Sequence, residues 1–494
     1  MSPGGPDRAN LDAILTTAAR DRKRLDSQAL GAFSLTLLGV ASVVGAGIFV
    51  VTGDAAAHYA GPAVLVSFVL AGIVAGLTAL CYAELASSIP AAGSTYSYAF
   101  AAFGPFIGWF IGWDLLLEYL FAASTVAVGW SGYLVDLCAS VGIQVPHDLA
   151  NAPFGDDAGI VNLPALGIML LTSGALYLGT KESAIANNSM VALKLLILVV
   201  VVVVGVFYVS ASNLEPFVPA HAGGFGDFGW TGVLRGAGVV FFAYIGFDAV
   251  STAAAEARNP RRTVPIGLLG TVLIATAIYI AVGFVLTGML DYRQLGVSDP
   301  IAAAIHAAGP NLEWLLRATD VAAVVGLAST VLVTLYGQTR IFMRMSEDGM
   351  LPPAFGRVGA KTRTPHVSIL VCGVAGGIVA AFVPLSVLGE LISIGTLLAF
   401  VIVSAGVVVM RRRYPDLERP FRVPALPLVA AAAILSSLAL MATLPGATWI
   451  RLAVWALIGI CIYFFYARQH SGERMQAIAA SNPGGLDAAE EAIP

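Results

Sequence analysis

Charge is what this 494-residue chain has least of: Asp, Glu, Lys and Arg together make up 11% of it. With 58% hydrophobic residues, too little polar sequence remains to cover a soluble fold of this length, so a polytopic membrane protein is expected. A net charge of −4 is too small to argue for nucleic acid or an acidic substrate. Cysteine is scarce as well. Cys81, Cys138, Cys372 and Cys461 mostly fall inside apolar runs without metal or redox spacing, and are expected to be small core residues rather than disulfides. The six histidines, at positions 58, 147, 221, 306, 366 and 470, lie in loops or at the ends of runs. That argues against an embedded acyltransferase or a metal-dependent intramembrane enzyme, and no cofactor or metal is expected. The first thirty residues contain no apolar h-region, so no cleaved signal peptide is expected there. No polar stretch is long enough for a soluble domain.

What the chain has instead is long apolar runs. Read against their polar punctuation, they predict twelve spans near 31–54, 61–88, 105–136, 162–179, 184–209, 230–256, 264–290, 313–346, 366–383, 388–410, 424–443 and 448–467. The third and eighth runs are long enough to tilt or extend past the bilayer. Residues 89–104 are too polar and short to cross, and predict an interfacial or re-entrant helix. Residues 1–30 and 468–494 read as polar tails. On this count one set of alternating segments carries 21 of the 26 basic residues and the other carries Arg235, Arg293, Arg317 and Arg451, with Lys194 inside a span. The bias predicts that both termini are cytoplasmic, in a cell (inner or plasma) membrane.

Two of these runs are interrupted. One is 31–51, with Gly45-Ala46-Gly47 at its centre. The other is 230–256, with Gly238, Gly246 and Asp248 inside it. Glycine-broken spans in corresponding places of two halves mark a transporter's binding site, whereas either alone could be a plain helix packed through small residues. Unwinding at Gly45 and Gly47 leaves amides at the start of a half-helix directed into a cavity, a site for an anion such as an α-carboxylate. A break at FFAYIGFD frees the carbonyls of Phe242, Ala243 and Ile245, which suit an ammonium, as does the Phe242 ring. An anion site facing a cation site describes an α-amino acid.

Ionisable residues within spans are costly and need a reason. Asp248 either bonds hydroxyls of neighbouring helices to stabilise the break or acts on the substrate amine and gating. Glu118, in the long third span, is either a helix–helix hydrogen bond or an attraction for a cationic or amino group. Asp114, one turn earlier, ranks below it. Lys194 stands alone in NNSMVALKLLILVVVVVVG, about ten residues from the cytoplasmic end, too far for easy snorkelling, so an interior role is expected.

The motifs VGAGIFV (44–50), GWDLLLEY (112–119), FFAYIGFDAVSTAAAEARNPRRTVP (241–265), TRIFMRMSEDGMLP (339–352) and LISIGTLLAFVIVSAGVVVMRRRYPDLERPFRVP (391–424) make the chain resemble the amino acid–polyamine–organocation (APC) superfamily. It is most similar to that superfamily's bacterial members of the cationic-amino-acid-transporter (CAT) type. The resemblance implies an all-α fold of twelve transmembrane helices in a five-plus-five inverted repeat, 31–209 and 230–410, with spans one and six broken and two extra helices over 424–467. It implies that the backbone at Gly45, Ala46 and Gly47 receives a carboxylate, and that carbonyls of Val43, Phe242, Ala243 and Ile245 receive an amine. It further implies that the Lys194 ammonium replaces the sodium found at the junction of spans one, five and eight in related sodium-coupled transporters. Lysine can release its proton where arginine would not, so Lys194 is the expected proton-coupling residue. Three departures stand out: Ala46 lacks the hydroxyl sometimes found there, Ala255-Glu256 replaces a Glu-Glu pair at an intracellular gate, and Glu347 stands where a basic residue is more usual. The function implied is secondary active transport of an L-amino acid, neutral or cationic, coupled to protons within the lipid bilayer. An exchanger or sodium-driven permease of the same fold, and a non-transporting amino-acid sensor, remain as alternatives.

Overall fold

The computed structural model describes residues 31–89, 94–154, 158–179, 184–252, 257–359, 362 and 364–470. Among the described residues there are helices and turns and no β-strand. Backbone groups in hydrocarbon must be satisfied within their own segment, and a helix achieves this locally. The main elements are α1 (Ala32–Val43), α2 (Val64–Ser88), α3 (Ser94–Phe103), α4 (Pro105–Ser140), α5 (Leu163–Leu178), α6 (Ala184–Gly205) and α7 (Gly229–Val240). They continue with α8 (Pro260–Met289), α9 (Pro300–Ala307), α10 (Glu313–Glu347), α11 (His366–Phe382), α12 (Leu385–Arg413), α13 (Leu426–Thr443) and α14 (Gly446–Ile462). Nine helical stretches among the described residues are long and apolar enough to cross a membrane, and α1, α5 and α11 are shorter apolar helices.

The two longest helices frame the centre. α4 has 36 residues and α10 has 35, each about 50 Å at 1.5 Å per residue and well beyond a ~30 Å hydrocarbon layer. They lie against one another, and the Trp130 indole of α4 donates to the Val324 carbonyl of α10 at 2.8 Å. Proline opens α4, α5, α8 and α9 within their first two positions, where its missing N–H costs nothing. The Asn162 side chain caps α5 by accepting the Ala165 amide at 3.0 Å, and Ser131 of α4 donates to the same oxygen at 2.7 Å. α14 is fixed by two stacked indoles, Trp113 and Trp455, 4.6 Å apart, each of which also donates to the other's carbonyl. Where α2 meets α12 and the segment before α13, the buried Glu84 accepts Arg411 at 2.7 and 2.6 Å and the Val423 amide at 2.7 Å.

The stretch 89–104 contains a separate ten-residue helix, α3, as expected from its polarity. The eight-residue helix α9 lies between two predicted spans and has no counterpart in the sequence reading. Cys81 and Cys372 are buried, but Cys461 is exposed on the helical surface, so the expectation of core packing fails for it. Ala255-Glu256 and Lys181 lie outside the described residues. Glu347 is within 3.8 Å of Arg344, one turn back.

Candidate functional site at two helix breaks

The two interrupted runs are broken helices in the structure. α1 ends at Val43, where Val44 turns extended (φ −74°, ψ 95°), and a new turn starts as the Ile48 and Phe49 amides both bond the Gly45 carbonyl at 3.2 Å. The amides of Gly45, Ala46 and Gly47 precede those bonds and make none of their own among the described residues. The half-helix then runs through Gly47–Val51 and onward to Ala60. α7 passes into a tight turn at Phe241–Tyr244, breaks over 245–248, and resumes at Ala249–Thr252. Gly246 has φ +100°, a conformation that glycine alone adopts without strain, and a Cβ there would stand 3.0 Å from the Ser42 carbonyl of α1.

The breaks touch. A Cβ on Gly47 would lie 2.3 Å from Ala243 Cα, so glycine is required for one break to rest on the other's backbone. A hydroxyl from a third helix ties them: Tyr279 of α8 donates toward the Val43 carbonyl at 3.0 Å and the Ala243 carbonyl at 2.6 Å. Two of the four carbonyls expected to receive an amine therefore already share one partner. Of the others, Phe242 accepts the Ile245 amide at 3.1 Å. Phe242 itself is buried beside this turn.

Lys194 is 3% exposed and turns inward, not toward a membrane surface. Its ammonium donates to the Ala41 carbonyl of α1 at 2.8 Å and lies 3.5 Å from the Thr330 hydroxyl of α10. It is thus at the junction of α1, α6 and α10, one turn before the first break. Gly326 makes this approach possible, since a Cβ there would be 3.0 Å from that of Lys194.

On the side of the second break, Glu118 and Asp248 are both buried and act on one another, with Asp114 next along α4 and the Thr396 side chain bonded to Glu118. The Tyr82 and Tyr119 rings border the same acids. Asp114 is buried with both oxygens unpartnered among the described residues and faces Gly395, whose Cβ would be 3.1 Å away. No group of His, Cys, Asp or Glu among the described residues is arranged to hold a metal.

Sequence reasoning missed Tyr279, Thr330 and Thr396. The one available signal was a tyrosine in the middle of an apolar run, which reads equally well as a core aromatic with its hydroxyl bonded.

Comparison with known proteins agrees with this architecture. The amino acid permease family model matches residues 30–467. A methylthioribose transporter of Bacillus subtilis is 41% identical over 456 residues, 92% of this chain and 97% of the relative. The branched-chain amino acid permease BcaP of the same organism is 43% identical over 461 residues, 92% of this chain and 96% of the relative. The vacuolar cationic amino acid transporter 4 of Arabidopsis thaliana is 34% identical over 388 residues, 78% of this chain and 64% of the relative. This chain belongs to the amino acid permease family, a family of multi-pass membrane transporters rather than enzymes.

Proposed function

We propose that this protein carries L-amino acids across the cell membrane by alternating access, driven by protons. The observation that carries the reading is the contact of two helix breaks of opposite polarity, free amides at 45–47 against carbonyls at 242–245. A zwitterion satisfies both: its carboxylate takes the amides and the half-helix dipole, and its ammonium takes carbonyl lone pairs that Tyr279 leaves open. Lys194 supplies the coupling. Charged, it holds α1 to α10 through Ala41 and Thr330; neutral, it donates one proton fewer and loosens that junction, letting the empty carrier reset. Glu118 and Asp248 bias the amine end. Twelve spans with both termini cytoplasmic, and a five-plus-five repeat over 31–209 and 230–410, follow from the basic-residue bias and the two corresponding breaks.

One relative at 41% identity carries the name of a thio-sugar transporter, and a thio-sugar offers neither carboxylate nor ammonium. Substrate counterflow in proteoliposomes decides. Preloaded leucine, alanine or lysine should drive uptake of the same labelled amino acid without any ion gradient, and methylthioribose should not. Counterflow by methylthioribose alone contradicts the zwitterion site, and no counterflow with any substrate marks a sensor.

A further inference from the structure

A second acidic group lies away from the breaks, at the end of the bundle where α4 finishes and α10 begins. Asp320, in the second turn of α10, has 0% exposure, and among the described residues its carboxylate has no partner but the acid Asp136, with which it can bond only when one of the two holds a proton. It is faced by Asp136, near the end of α4, and by Asp299, which immediately precedes α9. Tyr133 of α4 lies beside them. It stands among the same three acids while its hydroxyl donates to the Phe49 carbonyl of the first half-helix at 2.7 Å.

Among the described residues no base is paired with these acids. On the surrounding elements, Arg317 is committed to Glu313 at 2.5 Å, Arg293 to Asp291 at 3.3 Å and the His58 ring to Asp54 at 3.1 Å. His306 is exposed at the far end of α9. Like charges gathered without a counter-ion repel, and leaving a buried carboxylate unpaired is costly. On the connecting segment, the Asp299 carboxyl is pushed up to about 6, by burial first and by the charge of Asp136 second.

The same connection is pressed onto the bundle. A Cβ on Gly132 of α4 would stand 2.3 Å from Ser298 Oγ, and one on Gly53 of the first half-helix 2.3 Å from the Leu295 carbonyl. Its seating therefore touches both α4 and the half-helix that lines the proposed substrate site.

We propose that Asp136, Asp299 and Asp320 form a proton-binding latch that seats residues 291–307 over the extracellular mouth, and that raising the external pH releases it. The proposal rests on the orientation given above and not on the role of Lys194. With protons bound, three acids from three elements pack without repulsion and the connection stays down. Without them, the charge on Asp299 meets that on Asp136 and Asp320, and the connection lifts from α4.

The test is labelling of a cysteine at Ser298 by a membrane-impermeant maleimide added outside sealed cells, in a chain also carrying Cys138→Ala and Cys461→Ala. The rate is divided by that of a Ser212→Cys reference, which cancels the pH dependence of the thiol itself. The ratio should rise about tenfold between pH 5 and 7.5, the change that a difference of one pKa unit between the seated and lifted states corresponds to. It should stay low and flat in the Asp136→Asn/Asp320→Asn chain, and the single, partly exposed Asp299→Asn should blunt the rise. A flat ratio in the unsubstituted latch, or an undiminished rise in both variants, overturns the proposal. A ratio that follows added sodium or calcium at fixed pH would make the site a metal-cation site and overturn the proton assignment. Failure of the Ser212→Cys reference to label from outside would fault the orientation, not the latch.

Discussion

The two helix breaks differ in what stands behind them. Behind the first, at 44–47, is an ammonium: Lys194 holds the Ala41 carbonyl one turn before the free amides. Behind the second, at 245–248, are carboxylates: Asp248 and Glu118, with Asp114 beyond. Each break thus has its backbone against the other break and ionisable side chains of one sign close by. Recognition that uses only backbone is indifferent to the substrate's side chain and needs no charged residue at the contact. Charge placed one layer back can then change protonation without removing any group that holds the substrate. The common element is Tyr279, which touches a carbonyl from each break.

The contact between the breaks is the first thing to disrupt. Gly47→Val should reduce uptake by more than about a hundredfold, since ~3 kcal/mol of overpacking against rigid backbone suffices for that loss. Gly76→Val, where a Cβ meets nothing within 4 Å, is the matched control and should transport normally. Near-normal uptake by Gly47→Val would separate the breaks functionally. A smaller change tests the tie between them. Tyr279→Phe removes the hydroxyl shared by Val43 and Ala243, so substrate affinity should fall by roughly 5- to 150-fold, the equivalent of about 1–3 kcal/mol for acceptors left unpaired. Unaltered binding in a calorimetric titration would reduce Tyr279 to a packing residue. The smallest effect concerns the acidic side. Glu118→Gln keeps shape and loses charge, and should lower lysine uptake about fivefold more than alanine uptake, a difference of ~1 kcal/mol. Equal losses across a radiolabelled panel would assign Glu118 to structure or gating.

Much of this arrangement was legible in the chain itself because membrane helices announce their length. Apolar runs located the helices other than α3 and α9, glycines at 45, 47 and 246 marked where two of them break, and the isolation of Lys194 marked an interior position. What a run does not state is which of its faces meets which neighbour. Tyr279, Thr330 and Thr396 matter through partners more than a hundred residues away or on helices read separately, and along the chain they look like ordinary members of apolar segments. The helix α9 escaped for a different reason: eight residues between two spans carry too little periodicity to separate from a loop. Asp136 and Asp320 lie near the ends of spans and Asp299 in the connection between two others, where an acid is unremarkable until the fold puts the three together. Cys461 was misplaced because an apolar neighbourhood in sequence is the same for a core position and a lipid-facing one.

The claim that joins the two breaks to a driving force is the placement of Lys194, and the direct test is accumulation in proteoliposomes under an imposed proton gradient. Unsubstituted protein should concentrate labelled amino acid inside, whereas Lys194→Met should only equilibrate it and retain some exchange. Lys194→Arg, which keeps the charge permanently, should bind substrate and respond weakly to the gradient. If Lys194→Met still concentrates substrate when the proton gradient is applied, the coupling does not pass through the α1–α6–α10 junction, and an acid such as Glu118 must carry it.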